Sequence, residues 1–210
     1  MKPQLGDTIL NRYTLVSSLR EEPGIQAWKA NDRVLAKDCQ LFIITDRSAF
    51  AAIDKLAGRI AATRPDRVIP ILKYRMESDV LLIVMPVDSG QCLTDYMVDT
   101  AKPLSYSAIR SIIGECADVL REVIADTPSG IVITTDTVRV TTSGVQIADA
   151  PCATMLADTS ATDLRTDGPE RYAIRQLAAL LYTLLTRTPS QATPHSICVP
   201  CRKTPLANSA

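Results

Sequence analysis

Val80-Leu81-Leu82-Ile83-Val84-Met85-Pro86-Val87, then Asp88-Ser89-Gly90, then Gln91-Cys92-Leu93-Thr94-Asp95-Tyr96-Met97-Val98, is the stretch on which the fold turns. A short apolar run bounded by polar turn residues reads as a buried strand. The Asp-Ser-Gly cluster breaks it, and Leu93 to Val98 reads as a short helix. Upstream of this point the chain reads as strands around one helix. Downstream it reads as helices around one hairpin.

Working back from Val80, Val68 to Met76 reads as a strand joined to Val80–Val87 by the polar turn Glu77-Ser78-Asp79. Before it, Arg47 to Thr63 places Phe50, Ile53, Leu56, Ala57 and Ile60 at helical spacing, with Asp46 as N-cap and Pro65 as stop. Gln40 to Thr45 carries Leu41-Phe42-Ile43-Ile44, a buried strand. Arg12 to Ser18 and Ile25 to Asn31 form a hairpin about Gly24, with Ile25, Ala27 and Trp28 toward the core. The links are short, so the pairings are expected to be mostly antiparallel.

Working forward, Ser105 to Ala125 is a long amphipathic helix with Ile109, Ile112, Ile113, Cys116, Val119, Leu120 and Val123 on one stripe. Thr137–Thr141 and Val145–Ala148 form a short hairpin around Ser143-Gly144. Pro151 to Gly168 reads as a loop. Arg171 to Thr186 is an apolar helix expected to be buried on most sides, and the Pro-, Ser- and Thr-rich stretch after it reads as a tail.

Composition narrows the function classes. The 210 residues are 46% hydrophobic and 22% charged, which suits a folded chain with a sizeable core. Lys+Arg equals Asp+Glu, so nothing drives the chain toward a polyanion, and no nucleic-acid partner is expected. The apolar runs Val80–Val87 and Leu177–Leu185 fall far short of the roughly 20 residues that span a bilayer. The first ten residues lack a signal pattern. A cytoplasmic location without membrane contact is expected for this segment, which could still belong to a longer membrane protein. The six cysteines are dispersed in apolar patterns and read as reduced, buried thiols.

The order of elements, β-β-β-α-β-β, a hinge, then helices around a hairpin, resembles the protein-kinase fold. Gly6-Asp7 with Asn11-Arg12-Tyr13-Thr14-Leu15-Val16 resembles the opening of bacterial serine/threonine kinases. Pro65-Asp66-Arg67-Val68-Ile69-Pro70-Ile71-Leu72 is similar to the His-Pro-Asn-Ile-Val segment after the regulatory helix, and Val87 to Leu93 to the hinge. Val145-Gln146-Ile147-Ala148-Asp149 resembles the strand leading to the DFG motif. Leu177 to Thr186 is similar to the buried Leu-Gly-x-x-Leu-Tyr-x-x-Leu-Thr helix. The likeness covers residues 6 to 188. It implies an α+β, two-lobed fold. Residues 1–88 would form an N-lobe with a five-stranded antiparallel sheet plus one helix. Residues 89–188 would form a mainly helical, reduced or truncated C-lobe, and 189–210 a tail. Within the family the chain is most similar to the cytoplasmic pseudokinase domain of MviN-type cell-wall lipid flippases.

Phosphoryl transfer is positioning and charge neutralisation, so each missing part counts. The three glycine positions of the phosphate-covering loop fall on Arg20, Glu22 and Ile25, and Gly24 reads as a hairpin residue. Aligning Gln40-Leu41-Phe42-Ile43 with Val-Ala-x-Lys puts Ile43 at the lysine, so that Leu41 and Ile43 fill the nucleotide cleft. Lys37 precedes the strand. The regulatory helix offers only Asp54 where a Glu belongs. The catalytic loop, Ile131 to Thr137, is short. Its nearest acid, Asp136, reads as a turn cap, and no Asn lies between Ile131 and Ala150. Asp149 stands at the DFG aspartate and is the one weak metal candidate; a lone carboxylate holds Mg²⁺ poorly. Ala173 replaces the Asp that braces the catalytic loop.

The resemblance therefore implies no cofactor, no catalytic residue and no enzyme, but a regulatory or docking module in cell-wall synthesis control. Its expected partners are an active Ser/Thr kinase that phosphorylates it and a forkhead-associated domain that reads the mark. The alternative is a nucleotide-binding sensor or an atypical weak kinase using Asp149. Thr154 to Thr166, together with Thr186, Thr188, Thr193 and Thr204, are candidate acceptors. His195 is the only histidine; with Cys198 and Cys201 it could form a metal corner or a redox pair, although a single CxxC is weak evidence and a tail with incidental thiols is the simpler reading.

Overall fold

Strand β1 (Thr8–Ile9), β2 (Tyr13–Glu22), β3 (Ile25–Asp32), β4 (Lys37–Ile44), β5 (Lys73–Glu77) and β6 (Val80–Pro86) form one antiparallel sheet in the order β1-β2-β3-β4-β6-β5. The computed structural model describes residues 3–77, 79–99, 104–126, 131–148, 150, 152–153 and 161–188. Helix α1 (Phe50–Thr63) crosses between β4 and β5 after a short 3-10 turn, where Asp46 accepts a hydrogen bond from Ser48 N at 3.0 Å.

Strand alternation splits the apolar residues between two faces. One face carries Ile25, Ala27, Phe42, Ile44, Ile83 and Met85 and packs with Phe50, Ile53 and Ala57 of α1. The other carries Trp28, Leu41, Ile43, Leu82 and Val84 and packs with Tyr13 and Leu15 of β2. Tyr13 and Leu15 lie on this face because they pair in register with Asp32 and Ala30; beyond Leu15 the β2–β3 register slips between Leu15 and Ser17 and again between Ser18 and Arg20. Such bulges bend a strand and increase its twist. The central strands are therefore covered on both sides, which is why β4 and β6 are continuous apolar runs.

An ion pair closes the open end of the β2–β3 hairpin. Arg12 donates from Nε and Nη2 to the two carboxylate oxygens of Asp32 at 2.8 and 2.6 Å, and Val34 N adds a third bond. The Arg12 hydrogen bond comes first among the causes that pull the Asp32 carboxyl down to about 2. A depressed acid stabilises the fold above its unfolded value near 4 and loses that contribution as pH falls toward 2. Asp32→Asn is therefore expected to lower the melting temperature at pH 7 and to leave it nearly unchanged at pH 2. An equal loss at both values would show that the charge is not what Asp32 contributes.

The second half adds β7 (Gln91–Cys92), α2 (Leu93–Asp99), α3 (Tyr106–Asp126), β8 (Val138–Thr141), β9 (Gly144–Ile147) and α4 (Ala161–Thr186). Strands β7, β8 and β9 form a small antiparallel sheet. Ile109, Cys116 and Leu120 of α3 pack with Leu180 and Leu184 of α4 and with Leu56 and Ile60 of α1. Helix α1 thus contributes to both cores and joins the halves.

A strap holds the two halves together. Val68 makes a parallel bridge to Ile147; Ile69 N donates to Ile147 O at 2.9 Å and Ile147 N to Arg67 O at 2.7 Å. Beside it, Glu115 Oε2 accepts from Arg67 Nη1 at 2.6 Å and from Val145 N at 2.8 Å. Gly144 lies under this pair at φ 122°. A Cβ there would overlap Glu115 Oε2 and stand 2.7 Å from Arg67 Nη1. Gly144→Ala is expected to cost about 2–3 kcal/mol in urea unfolding, from backbone strain and the displaced pair. Wild-type stability in that variant would show that the strap does not depend on this close approach.

The structure departs from the sequence reading in four places. The first sheet has six strands, because Thr8–Ile9 pairs with β2. The strand expected over Val68 to Met76 is confined to Lys73–Glu77, since Pro70 has no N–H and the backbone of 67–69 is committed to Ile147. The loop expected over Pro151 to Gly168 is helical from Ala161, with Gly168 at φ 77°, ψ 161° interrupting α4 before Pro169. Finally, α4 is not buried on most sides: Ile174, Leu181, Tyr182 and Leu185 are exposed.

Candidate functional site

The site to test lies where the α1-bearing face of the first sheet meets the segment 131–148, which packs against it through Ala148. Its roof begins at the β2–β3 turn. Pro23-Gly24 is a two-residue turn between the paired residues Glu22 and Ile25, with Gly24 at φ 78°. The Gly24 carbonyl accepts from Thr45 N at 2.8 Å and from Asp46 N at 3.3 Å. A Cβ on Gly24 would meet Asp46 Cβ at 2.7 Å. The hairpin tip is therefore fastened to the end of β4. Arg20 and Glu22 pair with each other at 3.0 Å, and Ile25 is buried in the core with Phe42. Of the three expected glycine positions, two form an ion pair and one is core.

Strand β4 corrects the sequence reading by one residue. Leu41 and Ile43 face the cluster around Trp28 and Tyr13, away from α1. The side chains turned toward α1 are those of Phe42 and Ile44, with Gln40 on the same face. The physical reason lies in the period of two: when both faces of a strand are buried, the apolar pattern no longer tells which residues face which way. Phe42, 1% exposed, shares a cluster with Ile53 and Ala57 of α1 and with Ala148. Lys37 lies five residues back, about 17 Å along the strand, and is exposed. Lys29 of β3 shares the α1-bearing face with Ala27 but pairs with Asp38 at 2.8 Å, and that bond heads the causes lowering the Asp38 carboxyl. Asp54 is half-buried on α1, with hydrocarbon on β4 where a lysine would meet it.

Below, Ile131, Val132 and Ile133 are 1%, 4% and 1% exposed. Thr137 Oγ1 donates to Val132 O at 3.0 Å and accepts from Thr134 N at 2.9 Å, which closes a tight turn. Asp136 Oδ1 accepts from Thr94 Oγ1 at 2.7 Å, tying the turn to α2. Asp136 is thus engaged in holding a helix start. Ala173 is buried in the α3–α4 core and braces nothing. One turn further along α4, Gln176 does: its Oε1 accepts from Ile133 N at 2.5 Å and its Nε2 donates to Ile131 O at 3.2 Å. The sequence reading missed Gln176. The signal was available, because a Gln amid the apolar positions of a buried helix has to be matched to a polar partner.

Asp149 lies outside the described residues, as do His195, Cys198 and Cys201; the flanking Ala148 and Ala150 are buried at 0% and 2%. Among the described residues no group of three or more His, Cys, Asp or Glu could hold a metal ion. Burial pushes the thiols of Cys39 and Cys116 up to about 11 and about 12, so neither is a nucleophile at neutral pH. Thr186 and Thr188 are exposed at the end of α4.

Among solved structures the chain is similar to the PknI kinase domain of Mycobacterium tuberculosis, in a cysteine-to-alanine variant. The TM-score is 0.69 at 17% identity, and the match covers 90% of this chain and 79% of that one. The fold is protein-kinase-like. No protein-family model matches the sequence, and no curated protein does either. The six-stranded antiparallel sheet is the N-lobe sheet of that fold. Among the described residues no helix is long and apolar enough to cross a membrane.

Proposed function

We propose that this kinase-like domain is a pseudokinase: it transfers no phosphate and works as a regulatory docking module. One observation carries the reading. On the strand where a kinase holds its phosphate-pairing lysine, the residue turned toward α1 is Phe42, packed with Ile53, Ala57 and Ala148. Hydrocarbon at that place neutralises no charge on a triphosphate. The fastened hairpin tip and the use of Asp136 as a helix tie support the same reading. Its resemblance to the cytoplasmic pseudokinase domain of MviN-type flippases extends the proposal. An active Ser/Thr kinase phosphorylates a threonine of this chain, and a forkhead-associated domain in cell-wall synthesis control binds the product.

Two measurements test it. ATP with Mg²⁺ is expected to leave the melting temperature unchanged within about 1 °C, because a ligand stabilises only what it binds. A dose-dependent rise would favour the nucleotide sensor, and labelled phosphate transferred by the purified chain and lost in Asp149→Ala would favour the atypical kinase. Pull-down by a forkhead-associated domain is expected only after treatment with an active Ser/Thr kinase. Capture that ignores phosphorylation, or no capture after stoichiometric phosphorylation, would refute the docking part.

A further inference from the structure

Two segments continuous with the six-stranded sheet grip the β8–β9 hairpin from opposite edges. Residues 87–90 lead out of β6 into β7, which pairs Gln91 with Val140 and Cys92 with Arg139 of β8. Residues 67–69, shortly before β5, bond to Ile147 of β9. The small sheet runs β7-β8-β9, so the two grips lie on opposite sides of the hairpin, about 10 Å apart by strand spacing.

Arg139 is the centre of the first grip. Its Nε donates to Asp88 Oδ2 and its Nη1 to Asp136 O. The two side chains of the ion pair are only 11% and 21% exposed. One guanidinium thus holds the connecting segment and the turn before β8 together. Gly90 lets the chain pass close to it: a Cβ there would stand 2.7 Å from Arg139 Cβ and 3.0 Å from Thr141 Cγ2. Further on, Thr94 N donates to Thr135 O at 3.1 Å, and Cys92 Sγ lies 3.5 Å from the same oxygen. A hinge needs a few residues free to change their backbone dihedrals. Residues 87–90 are irregular in backbone, but they carry an enclosed ion pair and a close approach to β8. Bending them would also part Ile147 from residues 67–69 at the far edge.

We infer that Arg139 is a latch: it fixes residues 87–90 and, with the grip at Ile147, makes the two sheets one rigid body with no hinge between them. The domain presents both sheets to a partner in a single arrangement. A regulator acts on it through its surface or by releasing Arg139, not by closing one sheet over the other. The inference stands apart from the question of phosphate transfer, and its test reads no phosphate.

Nitrogen-15 relaxation of the full 210-residue chain is expected to fit one rotational diffusion tensor for the amides of β3, β4, β8 and β9. Separate tensors for the two sheets overturn the inference. Hydrogen exchange then tests the latch itself. Asp88→Asn removes the charge and is expected to raise exchange across residues 87–94 about tenfold, with β4 and α3 unchanged. Gly90→Ala wedges β7 away from Arg139 and is expected to give the same local rise by a different route. Unchanged exchange across 87–94 in Asp88→Asn overturns the inference, because Arg139 then holds nothing there. So does a rise shared equally by β4 and α3 in both variants, which would make the pair a support of the whole fold rather than of the joint.

Discussion

Phe42→Ala is expected to lower the unfolding free energy by about 3–5 kcal/mol, read as a fall in the urea midpoint at unchanged slope. The argument starts from position. Phe42 is among the largest fully buried side chains and sits on a central strand, where β3 and β6 hold its backbone on both sides. The backbone cannot move in to fill the space, so the cavity remains, and cavities that persist lie at the costly end of such substitutions. Domains of this size hold about 5–15 kcal/mol in total, so the variant should be near its unfolding transition. Phe42→Lys is the functional counterpart. It places an ammonium among Ile53, Ala57 and Ala148, and desolvation favours unfolding over a charged interior. The fold thus rests on the same residue that carries the proposed function. If Phe42→Lys folded well and gained a Mg-ATP-dependent rise in melting temperature, the pseudokinase reading would fail, because the cleft would then be a nucleotide site lacking only its cation.

The difference between Phe42 and Ile43 shows what the sequence carries and what it does not. The elements themselves were legible: alternation and turn residues mark the β2–β3 hairpin, helical spacing marks α1 and α3, and Asp88-Ser89-Gly90 marks the passage from sheet to helices. These signals are local, and local propensity and tertiary packing agree there. Facing was not legible on β4. Four consecutive apolar residues, Leu41 to Ile44, satisfy either register, and the choice is settled by partners on other strands and on α1: Tyr13, Leu15 and Trp28 on one face, Phe50, Ile53 and Ala57 on the other. The same limit explains the strand expected over Val68 to Met76. Its apolar residues are real core, but residues 67–69 bond to Ile147, some eighty residues away in sequence. At the candidate site, Phe42, Asp54 and Asp136 were readable as identities. The compensations were not, because the Gly24 carbonyl bonds and the Gln176 brace are contacts between distant segments.

Gln176→Leu is expected to cost about 2–4 kcal/mol in urea unfolding although it conserves volume and adds apolar surface. Both partners of Gln176 are backbone groups of residues buried to about 1% exposure, Ile133 N–H and Ile131 C=O. The loop turns back on itself through Thr137, so neither group can find a substitute in a sheet ladder. Removing the side chain strands two desolvated groups, and that penalty outweighs the hydrophobic gain of a leucine. Gln176→Glu separates donor from acceptor. It keeps an oxygen for Ile133 N–H but sets a second oxygen against Ile131 O. Burial and that repulsion raise the folded-state pKa of the new carboxyl above its unfolded value near 4.3. The protonated acid restores the donor, so the deficit relative to wild type should be small near pH 4 and grow as pH rises toward 7. A pH-independent deficit would mean that the Gln176 amide nitrogen contributes nothing to the loop. Equal stability of Gln176→Leu and wild type would mean that the loop stands without its brace, and that the polar residue on α4 has to be explained by something other than the fold.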